Sequence, residues 1–315
     1  MGTNKSNTIC LKEIVLKHYK IIFILLTIAV GFVGCDTSNQ SEEKYRPKGV
    51  YKEYKNYVFG INAFLDSKEM FIAYRPILNY LEANIDGVKF DLVTSKDFVE
   101  HEKRVRNGEF HFVLSNPYQT IIGFGHDYSP LAKMKNDTIF RGILIARKDA
   151  NITTFDQLKG KRIAFTAPTA LAGAIMPKYY LWEHGINVHS DMVPYYVGSH
   201  FSAIFNTYTK DTFITATWPP AWNKWKKENP LKAQEMEILW ETPPLLNNAL
   251  SVRSHVDPAI AEKVTVLLIG LNATAEGRKL LENANMEGFE RADFKTFEPV
   301  TSFIQKYEVA LGTVQ

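Results

Sequence analysis

Residues 146–186 read ARKDANITTFDQLKGKRIAFTAPTALAGAIMPKYYLWEHGI. Thr154–Leu158 predicts a short helix, Arg162–Phe165 a strand, and Gly173–His184 a helix that Gly185 closes. The same alternation runs outward in both directions. Tyr57–Ile61, Val88–Val93, Phe110–Leu114, Phe140–Ala146, Met192–Val197, Thr212–Thr217 and Ala249–Val252 are apolar, β-rich runs. Between them, Phe71, Tyr74, Ile77, Leu78 and Leu81 fall at helical spacing, as do Ile260, Val264, Leu267, Leu268 and Leu271. Phe98–Val105 and Ser199–Tyr208 are further helices, and Ser115–Asn116–Pro117 is a helix start. Strands alternating with helices imply an α/β protein with parallel sheets covered on both faces. Such sheets bind ligands outside the carboxyl ends of their strands. The loops to watch are 62–67, 94–96, 115–118, 166–173, 198–200 and 217–222.

A different signal sits at the N-terminus. Residues 21–35, IIFILLTIAVGFVGC, follow a basic lead of Lys5, Lys12, Lys17 and Lys20. The apolar run is shorter than the ~20 residues of a spanning helix, and its length suits the core of an export signal. Gly34–Cys35 resembles the end of a bacterial lipoprotein box, where cleavage precedes the cysteine and the cysteine takes the lipid. Phe32 departs from that pattern, and a transmembrane anchor is the alternative. On this reading, 1–34 is a signal peptide and 35–50 (CDTSNQSEEKYRPKGV) a flexible tether. In a Gram-negative host, Asp36 beside Cys35 would resemble an inner-membrane retention signal.

Removing residues 1–34 takes four lysines and Glu13 from totals of 37 Lys+Arg and 34 Asp+Glu, leaving 33 of each. A neutral mature chain has no overall field to hold nucleic acid. Cys10 and Cys35 are the two cysteines, so the mature chain has neither a disulfide nor a cysteine nucleophile. No His-x-x-His or Glu-x-x-His pair marks a metal site, and no cofactor is expected. No nucleophile–base pair or carboxylate cluster falls in the cleft loops, which argues against an enzyme.

The 146–186 stretch resembles the phosphate/phosphite/phosphonate-type periplasmic solute-binding proteins of ABC transporters. In that family "RKDS" precedes "I-x-x-x-x-D-L-K-G-K-R", and a Pro-x-Ser-Thr-Ser-Gly turn then opens a helix. Tyr196–Val197–Gly198–Ser199–His200 matches a later Gly-Ser-His motif, and Tyr74–Arg75–Pro76 and Gly277–Arg278 also fit. The resemblance covers roughly Tyr57 to Phe297. It implies a type II periplasmic-binding-protein fold, two α/β lobes joined by a double crossover hinge. Carried over, lobe one is 51–146 plus 248–315 and lobe two 147–247. It further implies a small-molecule ligand in the cleft, an ABC permease partner in the inner membrane, and a monomer on the periplasmic side of the membrane, anchored through Cys35. A non-transport sensor or accessory protein on the same fold stays open.

The expected ligand-binding set is Ser115, Tyr118, Thr166, Thr169, Ala170, Leu171, Ala172, Ser199, His200, Phe201 and Trp218. Several depart from the family. Ala170, Leu171 and Ala172 align with its Ser-Thr-Ser, Phe201 stands where an acid would hold an amine, and Ser115 stands where a tyrosine or similar residue contacts ligand. Phe64, Tyr118, Leu171, Phe201, Trp218 and Trp222 are expected to make an apolar, aromatic lining, each with ordinary core packing as the alternative. His111 is expected at the surface, and His101, His126, His184, His189 and His255 at the surface or in the core.

Overall fold

The structure, a computed structural model, describes residues 53–64 and 67–314. The expected signal peptide, Cys35 and the tether lie outside the described residues.

Eleven strands form two sheets among the described residues. They are β1 Lys55–Ile61, β2 Val88–Thr94, β3 Phe112–Ser115, β4 Tyr128–Met134, β5 Ile143–Arg147, β6 Arg162–Phe165, β7 Val193–Tyr196, β8 Ile214–Thr217, β9 Met236–Glu241, β10 Ala249–Arg253 and β11 Phe289–Arg291. The principal helices are α1 Ser67–Asn84, α2 Phe98–Arg106, α3 Pro117–Phe124, α4 Met176–Glu183, α5 His200–Tyr208, α6 Pro219–Glu228, α7 Pro258–Gly270, α8 Ala275–Asn283 and α9 Glu298–Leu311. The first sheet has the order β11-β4-β10-β3-β1-β2 and the second β7-β6-β8-β5-β9. Among the described residues no single helix is long and apolar enough to cross a membrane.

The first sheet is held by rings. Tyr57 and Phe59 on β1 meet Phe90 on β2 and Phe112 on β3, with centroids 5.7–6.3 Å apart. Such pairs contribute about 0.5–1.5 kcal/mol each beyond area burial. Helix α1 buries Met70, Ala73, Tyr74, Ile77, Leu78 and Leu81 on one stripe. Arg75 ties α1 to β2 by donating to the Phe90 carbonyl at 2.5 Å, and it is steadied within α1 by donating to Asn79 Oδ1 at 2.6 Å.

In the second sheet, β5 is buried on both faces. Leu144 and Ala146 join a core with Ile163, Phe165, Leu181 and Ile214, while Ile143 and Ile145 face Ile204, Trp222, Trp225 and Met236. This corrects the expected lobe boundary at 146/147. β5 pairs antiparallel with β8 and β9, so 143–146 belong to the second sheet. A run buried on both faces carries no alternation to say which sheet owns it. The chain therefore crosses between sheets at 135–142 and returns at 242–248. β10 then enters the first sheet antiparallel between β3 and β4.

Two smaller expectations are also corrected. His111 is half-buried rather than on the surface, because its Nδ1 accepts the Val58 N–H at 3.0 Å. The helix expected from Gly173 begins two residues earlier, with a π-helical turn over Leu171–Ile175 ahead of α4.

Candidate functional site

Loops from both sheets meet at one small cavity. Asn62 and Phe64 follow β1, Asn116 follows β3, residues 170–173 follow β6, His200 opens α5 and Trp218 follows β8. Phe98, Phe140 and Asn248 complete the lining. The position is the one physics favours, at the carboxyl ends of parallel strands. The cavity volume is about 20 Å³, room for little more than one water. Among the described residues that line it, none carries a charge.

His200 is the centre of the second-sheet half. It is 5% exposed, and its Nδ1 lies 3.1 Å from Thr166 Oγ1 and 3.0 Å from Thr217 Oγ1. Burial pulls its pKa down to about 3, so the ring is neutral at working pH. It stands edge-on to Phe98 and lies beside Trp218, both with centroids at 5.9 Å. Gly173 makes room for this arrangement. A Cβ there would lie 2.6 Å from Thr166 Oγ1 and 2.8 Å from His200 Cε1.

The first-sheet half is an amide network. Asn116 caps α3, its Oδ1 accepting the Gln119 N–H at 3.0 Å. Gln119 Nε2 donates to the Phe98 carbonyl at 2.7 Å. Gln119 Oε1 accepts from Asn116 Nδ2 at 3.0 Å and, more weakly, from Asn62 Nδ2 at 3.5 Å. Asn116 Nδ2 also donates to the Thr169 carbonyl at 3.2 Å, joining the two halves. A second link joins α1 and α6, where the Lys224 ammonium pairs with Glu69 and with Glu228. Among the described residues, Asn62 Oδ1, Trp218 Nε1 and Thr169 Oγ1 are buried without a hydrogen-bond partner.

Of the expected site residues, Ala170, Leu171, Ala172, His200 and Trp218 line the cavity, Thr166 backs His200, and Thr169 adjoins the lining. Four lie elsewhere. Ser115 hydrogen-bonds His101 Nε2 at 2.8 Å, and His101 is itself fully buried, with Ser95 Oγ at 3.1 Å from Nδ1. Ser199 caps α5, accepting the Ser202 N–H at 3.1 Å. Tyr118 is buried in the first-sheet core. Phe201 packs against the second-sheet core that holds Ile204 and Trp222, the Lys224 ammonium 5.9 Å from its ring. One residue along a helix turns the side chain by about 100°, so Phe201 cannot share the face of His200. Trp222 stacks on Trp225 at 5.5 Å in the same core.

Sequence reasoning missed Asn62, Asn116, Asn248, Phe98 and Phe140 as lining. Asn116 carried a signal as a helix cap. The others carried none beyond a place at a strand or crossover end. Behind Phe64 and Trp218 lies a second space of about 300 Å³, reaching Tyr74, Lys224 and Asn285.

Two α/β sheets joined by two crossovers, with their loops meeting at one small cavity, define a type II periplasmic binding protein. A family model described as "ABC transporter, phosphonate, periplasmic substrate-binding protein" matches residues 59–297. The chain belongs to that family. The probable ABC transporter phosphite binding protein of Prochlorococcus marinus (strain MIT 9301) is 21% identical over 251 residues, 75% of this chain and 78% of that protein. Its solved complex with methylphosphonate has a TM-score of 0.72 at 15% identity, covering 80% of this chain and 98% of the other. A binding-protein component of an ABC phosphonate transporter from Pseudomonas aeruginosa gives a TM-score of 0.73 at 16% identity, covering 82% and 89%. At these identities the solved structures establish the shared fold. The family binds solutes for transport and is not a family of enzymes.

Proposed function

We propose that this chain is the periplasmic solute receptor of an ABC importer and closes its two lobes on a small solute carrying at most one charge. The observation that carries this reading is the cavity itself: both sheets contribute loops to it, it holds no charged side chain, and three buried polar atoms beside it lack partners. A doubly charged ligand in an uncharged, dry site needs many donors. Here Ala170, Leu171 and Ala172 offer side chains with none. The ligand site comprises His200, Thr166, Thr169, Asn62, Asn116 and Trp218, with residues 170–172 as an apolar wall. The 135–142 and 242–248 crossovers serve as the hinge.

Native mass spectrometry of the purified protein is expected to find a carried-over solute, and scattering is expected to give a smaller radius of gyration when that solute is saturating. Absence of any bound solute together with an unchanged radius across a solute panel would remove this reading.

Anchoring completes the proposal. The receptor is held at the membrane through a lipid on Cys35 and, in a Gram-negative host, Asp36 retains it at the inner membrane. Cys35→Ala is expected to leave the precursor uncleaved or release the protein from membranes. Intact-mass measurement of an unmodified Cys35 in membrane-bound protein would contradict it.

A further inference from the structure

An ion pair ties the two lobes together beside the cleft. Glu69 lies on α1, whose Met70, Ala73 and Tyr74 pack in the first-sheet core. Lys224 lies on α6, whose Trp222 and Trp225 pack in the second-sheet core. The Lys224 ammonium donates across the gap to Glu69 and also lies 2.9 Å from Glu228 Oε1 on its own helix. Lys224 and Glu69 form part of the wall of the 300 Å³ space behind Phe64 and Trp218. The cross-lobe contacts at the cavity itself, Asn116 to Thr169, Phe64 to Trp218 and Phe98 to His200, carry no charge.

Each half of this contact is prepared before the lobes meet. Glu69 sits in the first turn of α1, where the helix dipole favours a carboxylate. Glu228 ends α6, where the dipole disfavours one, and Lys224 offsets that charge from four residues back. In an i, i+4 pair the order Lys before Glu is the weaker one, so Glu228 keeps the ammonium in place without holding it fast. Burial works to lower the Lys224 pKa, and the bonds to Glu69 and Glu228 outweigh it, so the ammonium stays charged. The Lys224 and Glu69 side chains are each 29% exposed, so the pair is screened only in part.

We propose that Lys224 is a closing latch: its ammonium bridges to Glu69 when the lobes come together and falls back on Glu228 when they part. This rests on the hinge in the receptor reading above. The closed cavity has room for little more than one water, so lobes latched shut must reopen before solute enters. The strength of the latch therefore sets how often the receptor is open to solute, and the apparent affinity falls with the open fraction. Glu69 and Glu228 act on this balance in opposite directions, because they compete for the same ammonium.

The test measures the separation of the lobes in the full protein without added solute. Electron paramagnetic resonance reads the distance between spin labels on ketone side chains introduced at Lys103 on α2 and Lys227 on α6, both exposed, so that the native cysteines stay unlabelled. Glu69→Gln is expected to move the ratio of closed to open lobes about threefold toward open, the scale of one partly exposed ion pair. Glu228→Gln is expected to move it by a similar factor toward closed. Raising salt from about 0.1 to 1 M, which shortens the Debye length from ~10 to ~3 Å, is expected to open wild type and to leave Glu69→Gln unchanged. A merely structural pair would lower the melting temperature of Glu69→Gln and leave the separations alone, and that result overturns the proposal. So do shifts of the same sign in both variants. Either failure leaves the receptor reading intact, because that reading is judged by the carried-over solute.

Discussion

Acidification from pH 6.5 to 4 is expected to remove about 3 kcal/mol of folding stability for each of His101 and His200. Both side chains are buried, and burial alone pulls His200 to about 3, while the Arg104 charge adds to burial in pulling His101 to about 3. The sign follows from which state takes the proton. Below the ordinary histidine value of 6.5 the unfolded chain binds protons that the folded chain excludes, so stability falls as pH falls toward 3. Two such groups together approach the whole stability of an ordinary domain, ~5–15 kcal/mol. Carboxylates act in a lower window. Glu82 and Glu109 are depressed below their ordinary 4.5 in the fold, so their contribution is lost only beneath that pH. The slope between pH 6.5 and 4.5 therefore belongs to histidines. Urea unfolding at half-unit steps measures it, and His101→Gln is expected to reduce the slope by about one proton. A flat profile between pH 6.5 and 4.5 would mean that these rings are solvated or paired with an anion.

The alternation of strands and helices, and their assignment to an α/β architecture, could be read from periodicity, because periodicity records which faces are buried. What buries them is not recorded there. Ile143–Ala146 has the same apolar composition whether it ends the first sheet or starts the second, and only pairing with Thr217–Ile214 decides. Ser115 and His101 illustrate the same limit at the site. Each has the chemistry of a ligand contact, and they satisfy one another. Lys178 is a sharper case: nothing in the residue order distinguishes it from a surface lysine, yet it is fully buried, donates to Tyr196 Oη at 2.6 Å and is pulled down to about 8 by desolvation. His200 was legible because a helix start beside a cleft loop constrains direction as well as type. Phe201 was misread because that constraint does not extend one residue further along the helix. Asn62 lay in a loop to watch but was not singled out, because its partner Gln119 is far away in the chain and is itself held by the Phe98 carbonyl.

Replacing Ala170, Leu171 and Ala172 together by Ser, Thr and Ser is expected to raise affinity for the methylphosphonate dianion by 100-fold or more. The three side chains line the cavity and are 1%, 1% and 5% exposed, so hydroxyls there would act in a dry site. A hydrogen bond to a charged acceptor contributes about 1.5–3 kcal/mol, and two of them exceed a hundredfold at about 1.4 kcal/mol per tenfold. Wild type is expected to bind the methylphosphonate dianion only at millimolar concentration or weaker, because its side-chain donors beside the cavity are few. Opposing the gain is the loss of the Leu171 side chain from the core it shares with Phe140 and Trp218, a cost of about 2–5 kcal/mol if nothing refills the space. A thermal melt of the triple variant separates that cost from the change in binding. Calorimetry at pH 8.5 then compares wild type and variant on the same dianion. A micromolar dissociation constant for wild type would show that helix N–H groups and His200 suffice without side-chain hydroxyls. A folded variant with no gain would show that residues 170–172 are a structural wall and that the oxyanion, if bound, sits against the other side of the cavity.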